Sequence, residues 1–363
     1  MRCCGAMFSP ILEVFLTSNV FSPFTLRGLT VRNRIVMSPM LMYAAAADGL
    51  LNERLLVHYG ARALGGVGMI VTEVLAVEGR GRISTNDLGL WNDRQGAELK
   101  RLVNFVQSCG VKICAQLAHA GRKSALTDTA IAPSPLAYDD TLGVPGEMSL
   151  TDIAEVREAY RLATRRADAS GFDALQLHAA NGYLLHEFLT PIANARKDAY
   201  GGSLENRARF LLEVVATVRA HWPAEKPLFL RLCANDFLAG GLTLDDAITV
   251  SHWLREVGVD LVDATTGNIL PGYPGPVFPG YQVGYAEKIG AATGLSVATS
   301  GSIASLDLME EIIGAGRVDL VFMGRALLRH PFWAIDAARS AGVSLELPIQ
   351  TYARATGPFE RGY

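Results

Sequence analysis

The chain has 363 residues, of which 50% are hydrophobic and 19% are charged, and its formal net charge is -3 at pH 7. This length is sufficient for one large barrel or two medium-sized domains, and the composition is that of a globular protein. The weakly negative net charge argues against a nucleic-acid-binding protein or a basic membrane-binding surface. The five cysteines form no C-x-x-C pair and no Cys/His spacing typical of a metal site. We therefore expect no metal centre, and we interpret the cysteines as buried apolar residues in a reducing compartment.

Residues 1–22 are predicted to be an N-terminal extension that precedes a single domain over residues 23–363. Their apolar stretch is interrupted by Pro10 and Glu13 and is shorter than the roughly 20 residues that a transmembrane helix requires. Arg2 raises the alternative of a signal peptide, but no small-residue cleavage pattern follows the apolar stretch. We therefore expect a cytoplasmic protein without a membrane segment, with Met7 as a second candidate start.

From Phe24 onward, short apolar runs alternate with amphipathic segments. The runs predict eight strands, at residues 35–38, 69–72, 112–116, 174–178, 228–232, 261–264, 296–299 and 320–323. The amphipathic segments predict helices that include residues 152–169, 207–222, 244–257 and 306–313. This alternation, without a break in composition, predicts an α/β protein with a single (β/α)8 TIM barrel. An open doubly wound sheet is the alternative, disfavoured because no G-x-G-x-x-G follows the first strand.

Three polar residues lie at the end of the fourth predicted strand or just after it, in the segment that begins at Phe172. They are His178, Asn181 and Tyr183, and they lie where a barrel of parallel strands keeps its chemistry. His178 and Asn181 can both donate hydrogen bonds to one oxygen and so polarise a carbonyl group. Tyr183 has a phenol with an ordinary pKa of about 10 and can donate a proton. Each residue alone is more often structural, but their cluster favours a catalytic interpretation.

Other strand ends carry groups suited to a flat heterocycle. Residues 38–43, SPMLMY, offer sulphur and apolar side chains that can cover the face of an aromatic ring. Gln116 ends the third strand and is followed by a basic loop with Arg122 and Lys123. The amide suits the polar edge of a heterocycle, and the two basic residues suit an anion, although they could equally be solvated loop charges.

Arg231 lies within the apolar run of the fifth strand, so it requires a partner. That partner could be an acidic residue, such as Asp263 or Asp236, or an anionic ligand ring. Both alternatives remain open from the sequence.

The last two strands predict a phosphate site. Strand seven runs into Ser300 and Gly301, and strand eight runs into Gly324 and Arg325. The loops after these strands commonly bind phosphate in such barrels, because glycines let backbone N–H groups approach the oxygens. Arg325 can add a bidentate charge-assisted contact. The segment therefore predicts a phosphorylated ligand without specifying which one.

These segments together resemble the Old Yellow Enzyme family of FMN-dependent ene-reductases. The resemblance extends from about residue 20 to the C-terminus, with the motifs in order. It rests on MSPM at 37–40, Gln116 with HAGRK at 119–123, HAANGYLLHEFL at 178–189, NARKDAYGGSLENR at 194–207 and FERGY at 359–363. The SPMxMY segment and the aromatic-ended tail are most similar to the bacterial, thermophilic-like branch. The resemblance implies a barrel that holds FMN non-covalently.

The resemblance also implies roles for individual residues. Those implied to bind the flavin are Ser38, Pro39, Met40, Leu41, Val74, Gln116, Arg231, Ser300, Gly301, Gly324 and Arg325. In this set Gln116 and Arg231 would contact the pyrimidine ring, and the last four residues would hold the phosphate. Those implied to bind or border the substrate are Tyr43, His178, Asn181 and, reaching in from a neighbouring subunit of a homodimer or homotetramer, Arg361. Tyr183 would be the proton donor.

The implied reaction is the reduction of the C=C bond of an α,β-unsaturated carbonyl compound or a related activated alkene by NADPH or NADH, through FMN. His178 and Asn181 would draw electron density through the carbonyl oxygen, and Tyr183 would protonate the α-carbon. A flavin-dependent desaturase and a xenobiotic or nitro-compound reductase are alternatives on the same scaffold. The physiological substrate and the choice of coenzyme stay open.

The chain departs from the branch at positions near the implied flavin. Leu41 stands where the branch usually has a cysteine, Val74 where small residues are common, and Asn181 where histidine is often found. Three other protein classes are disfavoured. A dienoyl-CoA reductase would need an iron–sulphur cysteine cluster and a longer chain, and an aldolase would need a lysine at a strand end. A non-catalytic flavin-binding protein would not need His178, Asn181 and Tyr183.

Overall fold

Eight parallel strands close into a barrel in the computed structural model, which describes residues 19–349. The described residues form twelve strands, eight in the barrel and two pairs outside it: β1 Phe24–Leu26, β2 Leu29–Val31, β3 Ile35–Met37, β4 Met69–Ala76, β5 Lys112–Ala118, β6 Ile131–Ala132, β7 Gly146–Glu147, β8 Ala174–Ala179, β9 Leu228–Cys233, β10 Leu261–Thr265, β11 Ser296–Thr299 and β12 Leu320–Met323. The barrel runs in the order β3, β4, β5, β8, β9, β10, β11 and β12, and β12 pairs with β3 to close it. The predicted TIM barrel and its eight strands are confirmed.

Helices connect the strands on the outside of the barrel. They are α1 Glu53–Leu64, α2 Asp93–Ser108, α3 Leu150–Ala169, α4 Leu184–Leu189, α5 Leu204–His221, α6 Leu244–Glu256, α7 Val283–Thr293, α8 Leu306–Gly314, α9 Arg325–Arg329 and α10 Trp333–Ser340. Within residues 19–349, no helix combines the length and apolar character needed to cross a bilayer.

Two helices begin earlier than their apolar periodicity predicts, because polar caps precede the periodic part. Helix α3 begins at Leu150, where the Ser149 side chain accepts a hydrogen bond from Asp152 N and the Asp152 carboxylate accepts one from Ser149 N. Helix α5 begins at Leu204, because the Ser203 side chain accepts from Asn206 N. Such caps satisfy the first free N–H groups of a helix, so they fix its start.

The N-terminal end of the barrel is closed by an apolar layer. Leu29 and Val31 of the β1–β2 hairpin belong to one buried cluster with Met69, Ala174 and Leu261, which are the first residues of three barrel strands. Because this apolar layer closes the N-terminal end, the polar side chains are found at the opposite end, where the strands finish. Residues 19–22 of the predicted extension also lie against the barrel, and residues 1–18 are outside the described residues.

Strand β4 contains a bulge that places a carboxyl group in the protein interior. Its register against β5 shifts between Val71 and Val74, so one extra residue is inserted there. The side chain of Glu73, within the bulge, is fully buried and accepts a hydrogen bond from the Tyr59 hydroxyl at 3.1 Å. Burial raises the pKa of Glu73 to about 7, although the hydrogen bonds from Tyr59 and the Met42 backbone oppose the rise.

We expect Glu73→Gln to remove a pH dependence of stability. Because the folded-state pKa of Glu73 is raised, its contribution is fully present below the ordinary carboxyl pKa and is lost as the pH rises through about 7. The unfolding free energy attributable to Glu73 should fall by about 3 kcal/mol over this interval, since one pKa unit corresponds to roughly 1.4 kcal/mol. Urea unfolding at about pH 5 and about pH 8 measures it.

The matched control is Glu256→Gln, on the exposed end of α6, which should follow the unsubstituted protein at both pH values. A Glu73→Gln protein whose stability difference from the unsubstituted protein is the same at both pH values would show that this carboxyl group does not titrate near neutrality.

Candidate active site

The turn after β8 brings two of the predicted catalytic side chains into contact. Asn181 and Gly182 both adopt left-handed backbone conformations, with φ of 56° and 75°, and Tyr183 follows as the cap of α4. This sharp turn folds the Tyr183 ring onto the His178 ring in an edge-to-face contact, with centroids 5.0 Å apart. Asparagine and glycine are the residues that tolerate this conformation best, so the sequence is suited to the turn.

The imidazole of His178 is held in its neutral form. Burial lowers its pKa well below the ordinary value, and the positive charges of Arg231 and Lys123 lower it further. Its Nδ1 atom is buried without a hydrogen-bond partner among the described residues. A buried polar atom without a partner is uncommon, so it points to a group that a ligand would supply.

The phenol of Tyr183 is held in its protonated form. Burial raises its pKa, with smaller contributions from Tyr43, Asp87 and Tyr138. A phenol that stays protonated beside a neutral imidazole can serve as a proton donor.

Lys123 lies beside Tyr183 and Asn181, a proximity that the sequence did not indicate. Its ammonium group is 5.1 Å from the centroid of the Tyr183 ring, and Nζ donates to the Asn181 carbonyl oxygen at 3.0 Å. Burial lowers the pKa of Lys123 to about 8. Arg122 is only 2% exposed and donates to the Ile269 carbonyl oxygen at 2.6 Å. The interpretation of these two residues as solvated loop charges is therefore wrong.

A chain of buried polar side chains crosses the barrel interior below the mouth. Gln116 Nε2 donates to Gln176 Oε1 at 2.7 Å, and Gln176 Nε2 donates to Asp263 Oδ2 at 3.1 Å. Arg231 Nε donates to the same Asp263 oxygen at 2.7 Å, and Arg231 Nη2 lies 3.4 Å from Ser38 Oγ. Asp263 is thus the partner of Arg231, one of the two acidic alternatives, and the network joins Gln116 to Ser38.

A cavity of about 490 Å³ opens at the ends of β3, β11 and β12. It is lined by six of the predicted cofactor residues, namely Ser38, Met40, Ser300, Gly301, Gly324 and Arg325. Arg325 Nη2 lies 3.3 Å from Ser302 Oγ on the facing loop. Gly301 has a φ of 116°, and a Cβ atom at Gly324 would lie 3.3 Å from the Met40 sulphur, so both positions favour glycine.

Four further predicted site residues do not line this cavity, namely Pro39, Leu41, Val74 and Tyr43, and the structure does not describe a fifth, Arg361. Pro39 and Leu41 are half-buried in the segment after β3, and Val74 is buried on β4. Tyr43 is 54% exposed, with a φ of 50°, and lies within electrostatic range of Tyr183. Arg361 lies outside the described residues, so its predicted role stays a prediction.

Two further residues of this face were missed from the sequence. Tyr281 lines the cavity, and the amide group of Gln282 lies 3.1 Å from Ser300 Oγ. Both come from the loop between β10 and α7, which has no regular periodicity. An aromatic residue next to an amide, just before a helix, was the only signal that could have indicated them.

Comparison with known proteins agrees with this geometry. Residues 19–341 match the NADH:flavin oxidoreductase / NADH oxidase family. The chain is 45% identical to an NADPH dehydrogenase of Geobacillus thermodenitrificans (strain NG80-2), over 95% of this chain and 98% of that protein. It is 42% identical to an NADPH dehydrogenase of Bacillus subtilis (strain 168), over 96% of this chain and all of that protein.

A solved structure of morphinone reductase superposes with a TM-score of 0.78 at 26% identity, covering 94% of each chain. The family match and the identity to the two dehydrogenases extend over most of the chain, including both the barrel and its mouth. The chain therefore belongs to the NADH:flavin oxidoreductase family of oxidoreductases, which is the Old Yellow Enzyme family.

Proposed function

We propose that this chain is an FMN-dependent NADPH dehydrogenase that reduces the C=C bond of α,β-unsaturated carbonyl compounds and related activated alkenes. The observation that carries the proposal is the contact of a neutral imidazole, His178, with a protonated phenol, Tyr183, at the barrel mouth. The names of the two dehydrogenases at 45% and 42% identity support NADPH as the coenzyme.

The residues at the mouth fit FMN. The cavity combines two glycine loops with the Arg325 guanidinium, which suits a phosphate group. Ser38 and Met40 extend the lining toward Arg231 and Gln116, which would hold the polar edge of the ring. When bound, FMN supplies the two-electron transfer from the coenzyme to the alkene.

The side chains at the end of β8 and in the turn after it would bind the substrate and supply its proton. His178 and Asn181 would bind its carbonyl oxygen, where negative charge develops as the alkene is reduced, and each well-aligned donor is worth roughly 2–4 kcal/mol there. Tyr183 would deliver a proton to the α-carbon. Burial keeps this phenol protonated, so the proton is available at neutral pH.

The direct test is spectroscopic. Purified protein loaded with FMN should lose its flavin absorbance when NADPH is added anaerobically and recover it when cyclohexenone is added. A nitroalkene and a nitroaromatic compound, each tested with NADPH and with NADH, separate alkene reduction from nitro reduction. A saturated ketone added anaerobically to the oxidised flavin without coenzyme tests for desaturation, which would bleach the flavin. Protein that takes up no FMN, or reduced flavin that no alkene reoxidises, would refute the proposed function.

We expect Tyr183→Phe to slow alkene reduction by about a hundredfold or more, the usual contribution of a positioned proton donor. Reduction of the flavin by NADPH should change little, because that step needs no proton from Tyr183. Stopped-flow absorbance measures the two half-reactions separately.

The control is Tyr200→Phe, whose hydroxyl contacts Glu213 on α5 rather than the cavity, and which should retain both rates. Full alkene reduction by Tyr183→Phe would mean that another group or solvent supplies the proton.

We expect Leu41→Cys to shift the flavin midpoint potential. A thiol can form a hydrogen bond that leucine cannot, and one net hydrogen bond of about 1 kcal/mol corresponds to roughly 20 mV for a two-electron couple. A spectroelectrochemical titration measures the shift, with Leu41→Val as the apolar control. Equal potentials in the leucine, valine and cysteine proteins would place residue 41 out of reach of the flavin.

A further inference from the structure

The imidazole of His186 lies directly beneath the active-site turn and has no role in the chemistry proposed above. His186 is in α4, and its side chain is completely buried. The backbone N–H of Gly182 donates a hydrogen bond to His186 Nδ1 at 2.9 Å. Gly182 is the residue between Asn181 and Tyr183, so this hydrogen bond holds the centre of the turn.

The other side of the ring faces an anchored carboxylate. His186 Nε2 lies 2.9 Å from Asp236 Oδ1. The second oxygen of Asp236 accepts hydrogen bonds from Thr190 Oγ1 at 2.7 Å and from Leu242 N at 2.8 Å. Asp236 is therefore held by Thr190 at the end of α4 and by Leu242 in its own loop, and its carboxylate lies beside the ring of His186.

The contacts fix where the ring proton lies. An amide N–H can only donate, so Nδ1 must be unprotonated to accept from Gly182, and the proton of the neutral ring is then on Nε2. Against the effect of burial, Cys233 and Asp236 raise the pKa of His186 to about 10. A second proton would lie on Nδ1 and oppose the Gly182 N–H at 2.9 Å, so this contact requires the neutral ring. Although His186, Cys233 and Asp236 have the spacing of metal ligands, a protonated Nε2 cannot bind a metal ion.

The turn needs such support because of its own conformation. Asn181 and Gly182 are consecutive residues in the left-handed region, and the Gly182 backbone is buried. A Cβ atom at Gly182 would lie 2.6 Å from the Asn268 carbonyl oxygen, so the turn is packed closely on that side as well. Without an acceptor, the buried N–H of Gly182 would lose its only hydrogen bond among the described residues, and the turn could relax.

We propose that neutral His186 is a positioning residue, which holds Asn181 and Tyr183 in place by accepting the Gly182 hydrogen bond. The role in turnover rests on the proposed function. A small displacement of the turn would move both the carbonyl-binding amide and the proton-donating phenol, and displacements of about 1 Å at reacting groups can cost a hundredfold in rate. His186 is completely buried beneath the turn and does not line the cavity, so its effect would pass through the turn.

Two substitutions separate the two edges of the ring. In His186→Asn, the side-chain oxygen is bonded to Cγ, as Nδ1 is, and can accept from Gly182 N. In His186→Gln, the amide group reaches the position of Nε2 beside Asp236 and leaves Gly182 N without an acceptor. His186→Asn therefore keeps the contact with Gly182, and His186→Gln keeps the contact with Asp236. The two introduced side chains are both amides, so they differ little in polarity. His252→Asn, at an exposed position of α6, is the control for the substitution itself.

The first measurement is amide hydrogen exchange of the FMN-loaded protein at Gly182. We expect exchange in His186→Asn to match the unsubstituted protein, and exchange in His186→Gln to be about tenfold faster, the effect of one lost hydrogen bond. The second is the ratio of cyclohexenone turnover to ferricyanide turnover with NADPH, because ferricyanide takes electrons without carbonyl binding or carbon protonation. This ratio should fall at least roughly tenfold in His186→Gln and should be retained in His186→Asn.

A defect common to both variants, or Gly182 protection retained in His186→Gln, would overturn the proposal, because simple packing would then explain His186. Should His186→Gln fail to fold, His186→Asn decides: normal exchange and a normal ratio support the role, and loss of either one refutes it. In the unsubstituted protein, nitrogen NMR of the His186 ring must show a protonated Nε2 and a bare Nδ1. The NMR and exchange results test this hydrogen bond even if no alkene is reduced. Failure of the positioning role can therefore be distinguished from failure of the proposed function.

Discussion

The arrangement of the barrel mouth depends on one buried ion pair. The Arg231 guanidinium lies within the barrel, 2.7 Å from Asp263, and an unpaired charge at this depth would be strongly destabilising. Burial raises the pKa of Asp263 even though Arg231 opposes the rise, so the carboxylate depends on its positive partner. Because Gln176 and Ser38 contact the same pair, the ion pair also sets the positions of polar groups on β8 and after β3.

The two ends of the barrel differ in character: one is closed by apolar packing, and the other carries the polar side chains of the candidate active site. At the N-terminal end, the β1–β2 hairpin covers an apolar layer that needs no polar partner. At the other end, the strands finish in polar side chains that are only partly paired, and Asn181 takes a left-handed conformation that costs free energy in a non-glycine residue. This strain is tolerated because His186 and the Asn268 backbone confine the turn from two sides.

The sequence predicted the barrel because each strand is a short apolar run and each long helix is amphipathic. It also placed His178, Asn181 and Tyr183 around one strand end, where the rings of His178 and Tyr183 are in contact. The roles of all three residues stay predictions. The sequence could not predict Lys123 against Tyr183, because that contact depends on how the loops after β5 and β8 fold toward each other. The contact of His186 with Gly182 is local, but the direction of the ring was not evident because its other side faces Asp236, a residue of a distant segment. Periodicity locates regular elements, whereas the direction of a loop side chain is set by tertiary packing.

The mouth combines positive charge with groups that burial keeps neutral. Arg231, Lys123 and Arg325 lie around it, so the local potential favours both a phosphate and the negative charge that develops on a reacting carbonyl oxygen. The same charges would ordinarily promote ionisation of Tyr183, but burial dominates and keeps its proton in place. His178 is neutral for the complementary reason, because burial and its cationic neighbours act in the same direction. In the proposed reaction, the phenol therefore releases its proton only when a strong base, the developing enolate, is held beside it.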